Sequence, residues 1–189
     1  VSELAPAPPH PLAVRLIDHC AAKDISGTIL EVGSGRGRNT RALREAGLDV
    51  TALSDDQPYT QLPGNRNAYA AALSSHAYLH GSSDKVRIGM ADLRRVLKTG
   101  GYVFLTLGSI SDARFGLGIP HDEHTYAPGD GPEKGSPHAY FERGAIPELL
   151  RGFAIEELEE VDVDQIVGRW AHDPAETGMR HWFVVARKL

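Results

Sequence analysis

The chain has 189 residues, 41% of them hydrophobic and 24% charged, proportions that suit one soluble globular domain with a sizeable core. A net charge of −5 excludes a general nucleic-acid footprint, which needs a basic face, although a local basic patch stays open. The single cysteine, Cys20, excludes an internal disulfide and fits a cytoplasmic location, and no apolar run reaches the length of a membrane span. In chain order, residues 1–11 form a proline-rich segment (Pro6, Pro8, Pro9, Pro11) that should be extended and that lacks the apolar core of a signal peptide. Residues 12–189 read as a single domain. Leu12, Ala13, Leu16, Ile17 and Cys20 recur at helical spacing up to Ala22, and Cys20 on that face reads as core rather than as a nucleophile. Thr28–Val32 is a short apolar strand, Arg38–Ala46 a helix closed by Gly47, and Asp49–Leu53 a second strand. Short links between them predict a right-handed parallel unit. Ala68–Leu73 is another strand. Asp84–Leu97 carries an apolar stripe and is stopped by Lys98-Thr99-Gly100-Gly101. Tyr102–Leu107 is almost continuously apolar, as at the centre of a parallel sheet. Glu142–Leu150 reads as a helix, and Ile155–Val163 and Trp182–Ala186 as the last strands. Between the Tyr102–Leu107 strand and the Glu142–Leu150 helix, at about 109–140, lies an irregular lid-like insertion rich in glycine and proline. It follows the central strand, which places it over the carboxyl edge of the sheet, where open α/β folds bind ligands.

The most informative stretch is Ile29-Leu30-Glu31-Val32-Gly33-Ser34-Gly35-Arg36-Gly37-Arg38-Asn39-Thr40. A buried strand delivers an acid, then a glycine turn, then a helix start. Glycine permits positive φ and has no Cβ, so a ligand can approach the main chain. The helix behind it presents unpaired N–H groups. Dinucleotide sites use G-x-G-x-x-G against a pyrophosphate. Here the spacing is G-x-G-x-G with Glu31 ahead of it, which suits a ligand with a cationic end.

This pattern resembles the first motif of the class I S-adenosylmethionine-dependent methyltransferases. Val96-Leu97-Lys98-Thr99-Gly100-Gly101-Tyr102-Val103-Phe104-Leu105 is similar to that family's helix–turn–strand segment, with Thr99 where proline is usual. Tyr140-Phe141-Glu142 and Gly152-Phe153 resemble its small-molecule branch. The resemblance implies a doubly wound Rossmann-like α/β sandwich, with a mainly parallel sheet and a C-terminal antiparallel strand. It also implies S-adenosylmethionine as methyl donor, S-adenosylhomocysteine as product and a small-molecule acceptor. Gly33, Ser34, Gly35 and Gly37 would border the methionine part of the cofactor, with Glu31 near its ammonium group and Thr40 in the first helical turn. Ser74, Ser75 and His76 would lie beside the methionine tail. The family's second strand commonly ends in an acid that accepts from both ribose hydroxyls. Ser54 falls on that position, so Asp55 or Asp56 is expected to take the role. Residues 54–67 are too few and too proline-broken for a normal helix and strand, so the third, edge strand is short or missing. Tyr59, Gln61 and Leu62 are the residues left to build an adenine pocket.

Methyl transfer from a sulfonium is an in-line displacement that needs alignment more than a catalytic dyad. A base helps where the acceptor carries a proton. His80 and His138 are the candidates, since imidazole titrates near neutrality. Arg114, Tyr126, Tyr140 and Trp170 are candidates for the acceptor side. The pairs His76/His80 and His121/His124 have metal-ligand spacing, but each supplies two ligands where a site needs three or four, so no metal is expected. A homodimer is compatible with the sequence. The alternative function is a non-catalytic or regulatory S-adenosylmethionine-binding module, motivated by the absent acid at residue 54 and the shortened third-strand region. A nicotinamide-dependent oxidoreductase is disfavoured by the glycine spacing.

Overall fold

The computed structural model describes residues 7–163 and 178–189. Helix α1 (Pro11–Ala22) leads into strand β1 (Ile29–Val32), helix α2 (Arg38–Glu45) and strand β2 (Val50–Leu53). Strand β3 (Tyr69–Ser74), a 3-10 turn (Ala77–Leu79), helix α3 (Ser83–Val96) and the long strand β4 (Leu97–Ser109) follow. Strands β5 (Ile119–Asp122), β6 (Thr125–Ala127) and β7 (His138–Phe141) precede a 3-10 turn (Arg143–Ala145) and the one-turn helix α4 (Ile146–Leu149). Strands β8 (Phe153–Asp162) and β9 (Arg180–Lys188) end the fold.

The strand order is β2-β1-β3-β4-β7-β6-β5, with β9 paired to both β4 and β8. Strands β1, β2, β3 and β4 are parallel. Strand β9 runs antiparallel to β4, from Tyr102↔Arg187 to Gly108↔His181, and β8 antiparallel to β9. Alternation along each strand sorts the core into two layers. Ile29, Ala71, Leu73, Phe104 and Phe183 face Leu12, Leu16 and Cys20 of α1 and Leu43 of α2. Leu30, Val32, Ala72, Val103 and Leu105 face Val86, Met90 and Leu93 of α3 and Ile146 of α4. The result is a doubly wound α/β sandwich with a mainly parallel sheet and a C-terminal antiparallel strand.

Three local readings change. Lys98-Thr99-Gly100-Gly101 does not stop at a turn, because β4 begins at Leu97, directly after α3. Leu97 pairs with Tyr69, and the register shifts before Ala71↔Tyr102. Gly100 takes φ 77°, and a Cβ on Gly101 would lie 2.8 Å from both the Ala70 and Lys98 carbonyl oxygens, so glycine lets the strand absorb the shift. The insertion is not irregular throughout. Its β5–β6 hairpin extends antiparallel from β7, which joins the tip of β4 at Gly108↔Tyr140 and Ser109↔Phe141.

Among the described residues no strand pairs with the outer edge of β2. Tyr59 and Leu62 are buried in the α3-side core instead of walling a ligand pocket, and Gln61 is exposed. The Tyr59 ring packs on Tyr78 at 4.6 Å between centroids. Asp92 accepts from the Leu62 N–H at 2.6 Å, while Arg95 donates to the Leu62 and Gly64 carbonyls at 2.8 Å each. One helical turn of α3 thus fastens the segment that follows β2 in the chain.

Candidate functional site

The carboxyl ends of β1, β2 and β3 converge on the glycine turn. Gly33, Gly35 and Gly37 have φ of 75°, 51° and 78°, values at which an L side chain is strained. Gly33 is also fixed by contact, since a Cβ there would stand 2.9 Å from the Ala77 Cβ. At Gly35 the nearest atom would be Asp55 Oδ2 at 3.7 Å, and at Gly37 nothing lies within 4 Å. These two are therefore demanded by conformation. Gly37 is the left-handed N-cap of α2. The Ser34 N–H donates to the Leu53 carbonyl at 2.7 Å, tying the turn to the end of β2, while Gly35 and Arg36 stay exposed.

Under the turn lies Glu31, 1% exposed. Its Oε2 accepts from the Thr40 hydroxyl, and its Oε1 has no hydrogen-bond partner among the described residues. Burial pushes the carboxyl above its ordinary range, and the Thr40 and Asn39 side chains, with the charges of Arg44 and Arg38, oppose that shift. An orphaned, buried carboxylate oxygen is costly unless a donor arrives. Asn39 extends the network: its Oδ1 accepts from the His10 N–H at 2.8 Å, and its Nδ2 donates to Ser75 Oγ at 3.2 Å. His76 Nδ1 lies 3.2 Å from the same hydroxyl, and its ring meets His10 edge-on at 5.9 Å. Ser74 is buried, and its hydroxyl has no partner among the described residues. Sequence reasoning missed Asn39 and His10. Their signals were an amide in the first turn of α2 and a histidine just ahead of an apolar helix.

Asp55 and Asp56 diverge. Asp55 Oδ1 accepts from the Gly35 N–H at 3.1 Å, so this exposed acid stands at the rim of the turn. Asp56 accepts from the Ser54 hydroxyl within its own bend.

A second group lies on the same edge of the sheet. The 3-10 turn that begins at Ala77, against Gly33, is capped by His80. His80 bridges to His138, with ring centroids 4.6 Å apart. Between them stands Glu133, which the sequence did not single out: its Oε2 is 3.1 Å from His138 Nε2 and its Oε1 3.9 Å from His80 Nε2. Arg114 Nη1 is 3.9 Å from Glu133 Oε2, and Arg114 binds buried Asp112 through Nε at 3.0 Å and Nη2 at 3.3 Å. Tyr126 and Tyr140 sit with Phe115, whose ring contacts them at 5.4 Å and 5.6 Å. Tyr140 is buried and Tyr126, on the hairpin itself, is half-buried, so the three rings form an aromatic cluster. Trp170 lies outside the described residues. His121 and Asp122 belong to the β5–β6 hairpin, where Asp122 accepts from the His124 N–H and the Thr125 hydroxyl.

No protein-family model matches this sequence, and no curated protein matches it. Solved structures do match its fold. The Burkholderia thailandensis 1,6-didemethyltoxoflavin-N1-methyltransferase, solved with 1,6-didemethyltoxoflavin and S-adenosylhomocysteine, is 18% identical with a TM-score of 0.67, over 95% of this chain and 77% of that one. A Mesorhizobium loti S-adenosylmethionine-dependent methyltransferase is 20% identical with a TM-score of 0.58, over 91% and 98%. A Methanosarcina mazei S-adenosylmethionine-dependent methyltransferase is 15% identical with a TM-score of 0.60, over 89% and 97%.

Proposed function

We propose that this chain, which has the fold of the class I S-adenosylmethionine-dependent methyltransferases, transfers a methyl group from S-adenosylmethionine to a small-molecule acceptor. The observation that carries the reading is the three-glycine cradle set over a buried carboxylate with one unsatisfied oxygen. Side chains at Gly33, Gly35 or Gly37 would strain the turn, and Glu31 offers a negative acceptor where an ammonium group supplies the missing donor. A bare pyrophosphate would be repelled by the same carboxylate, which disfavours a nicotinamide cofactor.

S-adenosylmethionine, when bound, supplies an electrophilic methyl carbon on a positively charged sulfur. The protein's task is then positioning and exclusion of water. Gly33 to Gly37 present their main chain to the methionine portion, with Ser74, Ser75 and His76 beside it. Asp55 accepts from the ribose hydroxyls after giving up its bond to the Gly35 N–H. On the acceptor side, His80, Glu133, His138 and Arg114 form a polar wall, and Phe115, Tyr126 and Tyr140 an apolar one. This second wall favours catalysis over a binding-only module, which has no use for a charged cluster beside its cofactor. The Burkholderia neighbour was solved with 1,6-didemethyltoxoflavin, and a compact aromatic acceptor suits the aromatic cluster of this chain.

Calorimetry tests the reading. S-adenosylhomocysteine should bind with an affinity on the order of micromolar. Asp55→Ala should weaken binding about tenfold, or about 1.4 kcal/mol, while Asp56→Ala changes it by less than about threefold. No heat with either S-adenosylmethionine or S-adenosylhomocysteine would overturn the proposal.

A further inference from the structure

The sequence does not single out Glu133 beside His80 and His138, yet the ligand atoms of all three lie within 4.8 Å of one another. We propose that these three side chains form a binding site for one divalent transition-metal cation, held by two imidazoles and one carboxylate.

The His138 tautomer is set by a backbone neighbour. Its Nδ1 lies 2.9 Å from the Ser136 carbonyl oxygen. A carbonyl can only accept, so Nδ1 carries the hydrogen. In the neutral ring the lone pair is then on Nε2, and Nε2 points at Glu133 Oε2 from 3.1 Å. Two lone pairs facing each other at that distance need positive charge between them. A proton serves that one pair. His80 Nε2 approaches the other oxygen of the same carboxylate, at 3.9 Å. A cation serves all three groups at once. A carbonyl accepting from the far ring nitrogen is also the arrangement that orients metal-binding histidines.

Size and composition agree. Metal–ligand bonds of about 2.1 Å place neighbouring ligand atoms about 3.0–3.5 Å apart in octahedral or tetrahedral geometry. The 3.1 Å pair is within that span, the 3.9 Å pair needs a shift of a few tenths of an ångström, and the two imidazole nitrogens, within 4.8 Å of each other, close as the exposed His80 ring moves inward. Imidazole nitrogens with one carboxylate favour Zn²⁺ and its first-row neighbours over Mg²⁺, which prefers all-oxygen shells. Burial is graded as an open site requires. The side chain of His138 is 5% exposed, that of Glu133 22% and that of His80 38%, so one side of the site faces solvent. Arg114 is the opposing charge, 3.9 Å from Glu133 Oε2, and its bidentate pairing with Asp112 offsets it.

Placement gives the site a use. His80 caps the 3-10 turn whose first residue abuts Gly33, so one short element joins the metal ligands to the cradle. Resting on the methyl-transfer reading, the acceptor is then a compound whose oxygen or nitrogen coordinates the cation. Coordination of a hydroxyl acceptor releases its proton to solvent. The resulting oxyanion forms the new O–C bond as the C–S bond breaks, leaving a neutral thioether.

Titrating the chelator-treated 189-residue chain with Zn²⁺ and, separately, Mg²⁺ tests the site without any methyl donor. The expected result is one equivalent of Zn²⁺, bound at least a hundredfold more tightly than Mg²⁺. Glu133→Gln and His80→Ala should each weaken Zn²⁺ at least tenfold, whereas His121→Ala on the exposed hairpin should leave it unchanged. His80 is the most exposed ligand, so its removal spares the core, and far-ultraviolet circular dichroism checks that both variants fold. No stoichiometric Zn²⁺ binding, or binding that survives Glu133→Gln and His80→Ala, would overturn the site. S-adenosylhomocysteine titrated into the chelated protein separates this failure from failure of the methyl-transfer reading.

Discussion

Glu31 concentrates the chemistry of the cradle in one side chain. It is on a central strand, it is 1% exposed, and only one of its oxygens is partnered among the described residues. Burial raises its pKa, so in the free protein its contribution to stability is present in acid and is lost as pH rises through that raised value. Ligand binding reverses the preference, because a cationic ammonium group favours the ionised carboxylate. The affinity for S-adenosylhomocysteine should therefore fall as pH drops through the raised Glu31 pKa. Glu31→Gln should flatten that dependence and cost about tenfold in affinity at neutral pH, about 1.4 kcal/mol. Calorimetric titrations between weakly acidic and neutral pH check both, and an unchanged pH profile in Glu31→Gln would remove Glu31 from the site. The position of Glu31 beneath the turn was legible in the sequence because strand, acid and glycine turn are contiguous. Which of Asp55 and Asp56 stands at the turn was not, because it depends on which acid reaches the Gly35 N–H and which is held by Ser54.

Elements carry the next level of constraint. The β1 turn and the 3-10 turn after β3 touch at Gly33 and Ala77, so the cradle and the His80 cap are built on one contact. Gly33→Ala combines positive φ with a Cβ 2.9 Å from another, which predicts a loss of about 2–4 kcal/mol in urea unfolding. Gly37, where a Cβ meets nothing within 4 Å, should tolerate asparagine far better in the same measurement. Helices and strands with strong periodicity were legible within a residue or two, as at α1, α2 and α3. The segment around Tyr59 and Leu62 was not. Its polar, proline-broken sequence reads as a loop, while its burial depends on a hollow beside Tyr78 and on Asp92 and Arg95 reaching across from α3. The β5–β6 hairpin was equally hidden, because β5 is exposed along its length and carries no apolar alternation.

Across the whole molecule, the sheet gathers groups that are far apart in the chain. The carboxyl ends of β1, β2 and β3 supply the cradle, and the residues around β7 supply Glu133 and His138 beside His80. Glu133 was invisible in the sequence because it sits in a glycine- and proline-rich stretch whose path is set only when β7 docks on the tip of β4. No described helix is long and apolar enough to cross a membrane. The central claim is that the glycine cradle over Glu31 holds S-adenosylmethionine with its methyl group directed at the histidine cluster. A crystal structure with S-adenosylhomocysteine tests this most directly. The account predicts the homocysteine amine within hydrogen-bond reach of Glu31 or of a water on it, the ribose hydroxyls on Asp55, and the sulfur facing His80 and His138. A nucleoside bound away from Gly33–Gly37, or a turn closed against it by the protein's own side chains, would contradict it.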